Sequence, residues 1–235
     1  MSLKDNHYST DFHKRSANFA AMKKLVILDF DGTLADTRAL IIRTNQEAMR
    51  RMGYPIQDEE TIAATIGLIL EDGLLQMYPD LPKETLPEWV KTYREIFEEL
   101  RTQIIPEVFP EVKETLAALY GKGCMLSVAS SRKSNSLHGF LESMGLSRYI
   151  TYVLGADDVT HAKPHPEPVL KTLQELGIPA SEALVVGDMP VDIQMGLGAG
   201  ARTCGVTYGN SSRLALEAAG ANHVIDRFGE LLSLV

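Results

Sequence analysis

Short, unbroken apolar runs that end in polar or small residues most constrain how this chain can fold. The first run, Leu25–Leu28, is followed directly by Asp29-Phe30-Asp31-Gly32. A run without polar and apolar alternation is typical of a parallel strand that is covered on both faces. Further runs of the same kind occur at residues 125–129, 152–154, 183–186, 204–206 and 223–225.

Segments with a helical spacing of apolar residues separate these runs, at residues 111–121, 134–144, 166–176, 190–199 and 212–219. Strands that alternate with helices predict an α/β fold, here a three-layer Rossmann-like parallel sheet with helices on both faces. Ligands of such sheets bind beyond the carboxyl ends of the strands, and the polar residues of this chain cluster at those ends. The carboxyl edge of the sheet is therefore the expected functional site.

One long segment, residues 36–106, interrupts the alternation. Within it, Arg38–Met52 has the pattern of a helix that ends at Gly53. A second helix face is marked by apolar residues three or four positions apart, namely Trp89, Tyr93, Ile96, Leu100 and Ile104. We expect a helical insert at 36–106, which would act as a lid over the ligand site of a core formed by 23–35 and 107–235.

The composition excludes several classes of protein. Of the 235 residues, 45% are hydrophobic and 23% are charged, which is the balance of a folded globular chain. The formal net charge of −8 repels phosphate backbones, so we expect no nucleic-acid partner. No run approaches the roughly 18–20 apolar residues of a membrane span, so we expect no membrane partner either.

The first residues and the cysteines bear on location. Residues 1–22 are polar and mixed in charge, and we expect them to form a leader that is disordered or vector-derived. The two cysteines, Cys124 and Cys204, lie beside apolar strand-like residues, which fits a reducing compartment. The expected location is the cytoplasm, and the expected assembly is a monomer or a homodimer.

Asp29 and Asp31 lie two positions apart at the end of the first apolar run. Carboxylates this close repel each other, and a cation between them, such as Mg²⁺ with its preference for oxygen ligands, removes the conflict. One carboxylate could then attack phosphorus while the other transfers a proton to the leaving group. A strand-terminal Asp-Gly turn explains the same residues without chemistry, so the pair alone leaves both interpretations open.

Polar residues also lie at or beyond later strand ends. Ser130 follows the second run at a helix start, where free N–H groups favour phosphate oxygens. Lys163 lies in a proline-rich loop, and Asp188 and Asp192 follow another run, four positions apart. Each has a structural alternative: a helix cap, a solvated lysine, or acids at a helix N-terminus. In the order acid pair, hydroxyl, lysine, acid pair, they form a much more specific set than any one of them.

This ordered set resembles the four motifs of the haloacid dehalogenase superfamily of phosphotransferases. The resemblance covers residues 23–235, and the segment at 36–106 is similar to the helical cap of the phosphoglycolate phosphatase-like branch. It implies aspartyl-phosphate chemistry and a Mg²⁺ cofactor. It also implies that Asp29 is the nucleophile and a metal ligand, and that Asp31 is the general acid with its backbone carbonyl on the metal.

The resemblance implies roles for the other motif residues as well. Asp188 would complete the metal site, and Ser130 and Lys163 would bind the phosphoryl oxygens. Asp192 would support the metal site or bind Lys163. Gly32 and Thr33 would support the site, Gly32 as part of the first motif and Thr33 by holding Asp31. Ser131 and Arg132 would add further contacts, and that of Ser131 would be to phosphate.

The expected function is a Mg²⁺-dependent phosphatase that acts on a small phosphorylated metabolite: phosphoglycolate, a sugar phosphate or pyrophosphate. One alternative is a β-phosphoglucomutase-like phosphomutase, although the basic cap loop and the early histidine of that branch are not evident. A second alternative is a non-catalytic binding module on the same fold. The loop Gly67–Glu71 lies where such caps select substrate, and it contains no cation, which leaves the substrate open.

Overall fold

The computed structural model describes residues 24–235, so the predicted leader at 1–22 lies outside the described residues. The strands are β1 (Leu25–Leu28), β2 (Ala35–Asp36), β3 (Glu107–Val108), β4 (Met125–Ala129), β5 (Tyr152–Leu154), β6 (Ala183–Gly187), β7 (Arg202–Val206) and β8 (His223–Ile225). The helices are α1 (Arg38–Met52), α2 (Glu59–Ala63), α3 (Leu70–Met77), α4 (Leu86–Leu100), α5 (Val112–Gly121), α6 (Ser134–Ser143), α7 (Glu167–Leu176), α8 (Pro190–Gly198) and α9 (Arg213–Ala218). Short 3-10 turns lie at Lys83–Thr85, Ser147–Tyr149, Ala156–Asp158, Ala180–Glu182 and Phe228–Ser233.

Six of the strands form one sheet in the order β5-β4-β1-β6-β7-β8, and every pairing in it is parallel. This confirms the predicted α/β fold with a parallel sheet. The strand β1 lies between β4 and β6, with Leu25 opposite both Met125 and Ala183. The carboxyl ends of three adjacent strands therefore meet at one place, where ligands bind in sheets of this kind.

Both faces of the sheet are covered, as the unbroken apolar runs predict. On one face, Val26 and Leu28 belong to a hydrophobic cluster that includes Leu116 of α5. On the other face, Leu25 and Ile27 belong to a cluster that includes residues of α7 and α8. Because neighbouring residues of β1 are buried on opposite faces, the whole strand is withdrawn from water and anchors the residues that follow it.

Helices α1 to α4 form an inserted helical segment, which we call the insert. Helix α1 ends as predicted, because Gly53 adopts a φ of 75°, which stops a helix at low cost. Trp89 of α4 is fully buried, and its ring centroid lies 4.7 Å from that of Tyr54 and 5.4 Å from that of Tyr78. The face predicted through Ile104 is shorter than expected, since α4 ends at Leu100.

A two-stranded antiparallel ribbon, β2 with β3, closes the base of the insert. Ala35 pairs with Val108 and Asp36 pairs with Glu107, so the chain leaves for the insert and returns from it at the same ladder. A hydrogen bond from the Phe109 N–H to the Leu34 carbonyl, 3.0 Å long, extends this pairing toward the sheet. The insert thus begins a few residues after β1, close to the carboxyl edge of the sheet.

Among residues 24–235, no helix is both long enough and apolar enough to span a membrane.

Candidate active site

Asp29 is the first residue after β1, and its carboxylate lies at the centre of the carboxyl edge. Its N–H donates to the Val186 carbonyl over 2.8 Å, which continues the ladder with β6 and fixes the backbone. The residue is 3% exposed, and its Oδ1 accepts a hydrogen bond of 2.5 Å from Lys163 Nζ. The other oxygen, Oδ2, is buried and has no hydrogen-bond partner among the described residues. One oxygen of Asp29 is therefore held, and one is free.

Lys163 lies between two carboxylates. Its Nζ is 2.5 Å from Asp29 Oδ1 and 2.6 Å from Asp192 Oδ1, and its side chain is only 2% exposed. Burial alone would lower the pKa of Lys163, but the charges of Asp192 and Asp29 raise it above its ordinary value. Asp192 is held in turn at the first turn of α8, because its Oδ2 accepts the Met189 N–H. The predicted contact between Asp192 and Lys163 is thus present, and Lys163 stays cationic.

Asp188 is the first residue after β6, and its carboxylate is fixed from two sides. Its Oδ2 accepts the backbone N–H of Asn210 at 2.7 Å and the Asn210 side-chain amide at 2.9 Å. Its Oδ1 faces the Thr33 hydroxyl at 3.4 Å. Burial and the charge of Asp192 raise the pKa of Asp188 to about 7. Sequence reasoning did not identify Asn210 as a site residue. It lies in the loop beyond β7, and the other site residues were predicted because they lie at or beyond the carboxyl ends of strands.

The structure brings three carboxylates together in a form that fits a hard cation. Each of Asp29, Asp188 and Asp192 offers a carboxylate oxygen within 4.8 Å of the others, and all three are buried. Three carboxylates against the one ammonium of Lys163 leave two formal negative charges in excess. Burial raises the pKa of Asp29 well above its ordinary value, and the charges of Asp192 and Asp188 oppose the relief that Lys163 gives. The free Oδ2 of Asp29 and these carboxylates are the donors that Mg²⁺ prefers.

The Asp31 carboxylate turns away from this group of acids. Its Oδ1 accepts 2.6 Å and 2.5 Å hydrogen bonds from the Thr37 hydroxyl and Arg132 Nη2, and its Oδ2 accepts Arg132 Nε at 3.2 Å. The predicted task of Thr33 is corrected here, because its hydroxyl faces Asp188 while Thr37 holds Asp31. The reason is a turn in which the Leu34 and Ala35 N–H groups donate to the Phe30 carbonyl, so the chain folds back and Thr37 returns to Asp31. Any contact of Asp31 with the metal would then be through its main-chain carbonyl.

Arg132 is nearly buried between three aromatic rings. Its guanidinium carbon lies 4.8 Å from the ring centroid of Phe140, 5.0 Å from that of Phe97 and 5.8 Å from that of Phe30. Burial would lower the pKa of Arg132, but the charge of Asp31 raises it. Because Phe97 belongs to α4, this arginine connects the insert to the Asp31 carboxylate.

The two serines after β4 occupy different positions. Ser130 is 7% exposed, and its hydroxyl accepts the N–H of Arg132 at 3.2 Å, beside Asp29 at the edge of the sheet. The Ser131 hydroxyl donates to the Gly67 carbonyl of the insert at 2.5 Å, and its contact with phosphate stays a prediction. Through its bond to Gly67, Ser131 connects the sheet edge to the insert. The loop at Gly67 also approaches Met189.

Gly32 provides close approach between the first and last motifs. Its φ is +84°, and a Cβ built on it would lie 2.2 Å from Asp188 Oδ2. Any side chain at this position would therefore collide with a carboxylate of the site. The supporting role predicted for Gly32 would therefore be to leave room for the Asp188 carboxylate.

A cavity of about 710 Å³ lies between the sheet edge and the insert. Asp29, Asp31 and Ser130 line its floor, and residues of α1, α3, α4 and the Gly67 loop line its roof. Asp29 and Asp31 thus lie at the end of a chamber large enough for an organic ligand.

Comparison with known proteins agrees with this geometry. The sequence model of a family described as haloacid dehalogenase-like hydrolase matches residues 26–206. The chain is 40% identical over 216 residues to a protein of Dickeya dadantii named "Probable phosphatase IndB", which covers 90% of this chain and 93% of that protein. It is 32% identical over 222 residues to the phosphoglycolate phosphatase of Pectobacterium atrosepticum, covering 93% and 94% of the two chains. The solved structure of a hydrolase from Pseudomonas syringae superposes with a TM-score of 0.81 at 25% identity, covering 90% of this chain and 98% of that one.

The chain belongs to the haloacid dehalogenase-like hydrolases, which confirms the resemblance found in its motifs. Within this superfamily it is a phosphatase.

Proposed function

We propose that this phosphatase is Mg²⁺-dependent and hydrolyses a small organic phosphate ester through a phosphoryl group carried on Asp29. The observation that carries the proposal is the Asp29 carboxylate, with Oδ1 held by Lys163 and Oδ2 buried without a partner beside Asp188. An oxygen kept dry, oriented and unbonded is what a nucleophile needs. If Asp29 had only a structural role, both of its buried carboxylate oxygens would be expected to have hydrogen-bond partners.

The residues divide the work as follows. An Asp29 oxygen attacks phosphorus, and the bond to the ester oxygen breaks with its electron pair going to the leaving group. Asp31 acts as the acid only in its protonated form, in which it donates its proton to that oxygen. The resulting carboxylate, which the Arg132 ion pair stabilises, then takes a proton from the water that hydrolyses the acyl phosphate. Lys163 and Ser130 bind phosphoryl oxygens, and Asp29, Asp188 and the Asp31 carbonyl would hold Mg²⁺. The bound ion would supply charge stabilisation to the phosphoryl group.

Magnitudes support this division. Hydrolysis of phosphate monoesters needs accelerations up to ~10²¹, whereas general acid–base catalysis contributes about 10²–10⁴. Most of the rate acceleration must come from positioning of the reacting groups and from charge stabilisation, and the contacts of this site serve both purposes. Lys163 is held between two carboxylates, so its charge is already oriented before substrate arrives.

We further propose that the insert is a cap domain, with the catalytic core on either side of it in sequence. The cavity lies between the insert and the sheet edge, and Ser131 and Arg132 contact both sides. A cap in this position would exclude water while Asp29 carries the phosphoryl group.

A phosphate-release assay tests the proposed function. Wild-type protein should release phosphate from p-nitrophenyl phosphate with Mg²⁺ present and lose this activity in excess EDTA. Asp29→Asn should abolish turnover while its circular dichroism spectrum and unfolding midpoint remain those of a folded protein. Wild-type rates in Asp29→Asn would refute the nucleophile, and an inactive wild-type protein would favour a non-catalytic module. Product analysis by ³¹P NMR separates hydrolysis from transfer of phosphate to another position of the substrate.

A further inference from the structure

The two oxygens of the Asp188 carboxylate have different surroundings. Oδ2 accepts two hydrogen bonds from Asn210, one from its backbone N–H at 2.7 Å and one from its side-chain Nδ2 at 2.9 Å. Within residues 24–235, Oδ1 has only the Thr33 hydroxyl, at 3.4 Å, which is longer than the roughly 2.5–3.0 Å of an ordinary O–H···O hydrogen bond. Asn210 therefore occupies one oxygen and leaves Oδ1 as the oxygen with spare capacity for a cation.

The side-chain amide of Asn210 is itself held at both ends. While Nδ2 donates to Asp188, Oδ1 accepts a 3.2 Å hydrogen bond from Arg38 Nη1. If the amide were rotated by half a turn, its oxygen would face the carboxylate and its NH₂ group would face the guanidinium. Both contacts would then be unfavourable, because acceptor would meet acceptor and donor would meet donor. Arg38 therefore favours the one orientation in which the NH₂ group points to Asp188.

Arg38 connects this amide to the insert. It is the first residue of α1, whereas Asn210 lies in the loop beyond β7, so their hydrogen bond crosses from the insert to the edge of the sheet. The other terminal nitrogen of the guanidinium, Nη2, donates to Glu60 of α2 at 2.8 Å. A chain of contacts thus runs from α2 through Arg38 and Asn210 to the Asp188 carboxylate.

A simple surface ion pair is the structural alternative for Arg38. The Glu60 side chain is 88% exposed, and pairs with such an exposed partner contribute little to stability. The Arg38 side chain is less exposed, at 32%, and its second hydrogen bond is to an amide that contacts a buried carboxylate. The two interpretations differ in one measurable respect, since only a chain of contacts makes the effect of Arg38 depend on Asn210.

The orientation of Asp188 matters because of the ion that the proposed function assigns to it. Mg²⁺ requires nearly octahedral coordination at about 2.0–2.1 Å, so a small rotation of a ligand carboxylate weakens its binding. Replacing a residue that orients a metal ligand, without contacting the metal itself, typically lowers metal affinity about 10–100-fold. A residue that orients such a partner in turn should have a smaller effect of the same kind.

We propose that Arg38 and Asn210 are positioning residues for the metal site, and that this chain of contacts makes the affinity for Mg²⁺ depend on the insert. The inference rests on the proposed function, because it concerns the ion which that function requires. It assigns no contact with substrate or with the reacting atoms to either residue.

Isothermal titration calorimetry of the substrate-free protein with MgCl₂ tests the inference. Asn210→Ala keeps the backbone N–H but removes the amide, and it should raise the Kd for Mg²⁺ about 10-fold. Arg38→Met removes both donors and keeps an unbranched side chain, and it should raise the Kd about threefold to fivefold. In the double variant the second substitution should add less than about 1.5-fold, because Arg38 acts through the amide.

Arg50→Met is the matched control variant. Arg50 belongs to the same helix and pairs with Glu47, and its replacement changes the net charge by the same amount as Arg38→Met. Its Kd for Mg²⁺ should stay within about twofold of wild type, which separates the chain of contacts from a general effect of charge. Circular dichroism in EDTA checks that each variant is folded, and Asn210→Leu serves if Asn210→Ala is not.

Phosphate release provides a second measurement on the same variants. The Mg²⁺ concentration for half-maximal activity should rise in Asn210→Ala and in Arg38→Met, while kcat at saturating Mg²⁺ should stay within about threefold of wild type. A loss of kcat that excess Mg²⁺ does not restore would contradict a role limited to positioning the metal site.

Other outcomes separate the two proposals. An unchanged Kd in Asn210→Ala or in Arg38→Met, or fully additive effects in the double variant, would overturn the inference while the Mg²⁺-dependent function stands. If the wild-type protein binds no Mg²⁺, the metal requirement of the proposed function fails, and the inference is refuted with it.

Discussion

Arg132 and Asp31 are 101 positions apart in sequence and form a two-point ion pair, with Nη2 2.5 Å from Oδ1 and Nε 3.2 Å from Oδ2. The side chains are 10% and 11% exposed, so the pair is nearly withdrawn from water. Because Phe97 of the insert packs over the guanidinium, the orientation of Asp31 depends on where the insert lies. The proposed acid of the reaction is therefore positioned from both sides of the cavity.

Replacing Arg132 by lysine should slow the reaction without unfolding the protein. A lysine ammonium is a point charge that cannot make two parallel bonds or cover three rings. We expect Arg132→Lys to lower kcat about 10-fold or more, with a smaller change in KM, in steady-state assays. Arg148→Lys is the matched control, since Arg148 lies 4.7 Å over the ring of Tyr149, outside the cavity lining. Equal kcat in Arg132→Lys and wild type would contradict the positioning role.

Removing the Lys163 charge should strongly destabilise the metal-free protein. Lys163→Met leaves the buried carboxylates of Asp29 and Asp192 without their cation. Breaking a buried pair in this way costs about 3–5 kcal/mol, and urea unfolding in EDTA should show a loss of that order. Lys171→Met, which removes an exposed lysine that donates to the Asp158 carbonyl, should change the free energy of unfolding far less. A loss below about 1 kcal/mol in Lys163→Met would contradict the arrangement described.

The stability of the metal-free protein should fall as pH rises through about 7. The folded-state pKa of Asp188 is about 7, above its ordinary value of 3.8, so the folded protein binds a proton there that the unfolded chain does not. Stability is therefore higher at about pH 6 than at about pH 8. Mg²⁺ competes with that proton, so its effect on Tm should be larger at about pH 8. Thermal unfolding with EDTA or MgCl₂ measures both effects.

Asp188→Asn is the control for this pH dependence. It removes the titrating carboxyl, so the fall in Tm between about pH 6 and about pH 8 should be reduced, and stabilisation by Mg²⁺ should weaken. A wild-type response to Mg²⁺ that is identical at both pH values would contradict the assignment.

Gly32→Ala should destabilise the protein and disturb the Asp188 carboxylate. The substitution places a Cβ 2.2 Å from Asp188 Oδ2, at a φ of +84°. Gly53→Ala separates the two effects, because Gly53 has a similar φ of +75° and nothing within 4 Å of its Cβ. We expect about 1 kcal/mol of strain in Gly53→Ala and a larger loss, with reduced activity, in Gly32→Ala. Similar values for the two variants, measured by urea unfolding, would exclude a specific collision at the site.

Local sequence was sufficient to predict most of the elements. The apolar run at 152–154 is strand β5, and the segment at 134–144 is helix α6, shorter by one residue. The order of the strands was beyond local reasoning, because it depends on where each crossover returns. The position of β1 between β4 and β6 is therefore a finding of the structure.

The site was predictable where a residue directly follows a strand. Asp29, Ser130 and Asp188 each follow a predicted run, so the fold itself brings them together. The contacts of longer side chains were harder to predict from sequence, because the direction of Arg132 is set by three rings from separate segments.

The ribbon of β2 and β3 has a consequence for how such enzymes diverge. Because the insert starts and finishes on paired neighbours, Ala35 opposite Val108, its length and contents can change without moving the strands that carry the acids. Mutations in the insert can therefore change the cavity roof independently of the sheet. Descendants of one ancestor can acquire new substrates while the residues at the sheet edge keep the same chemistry.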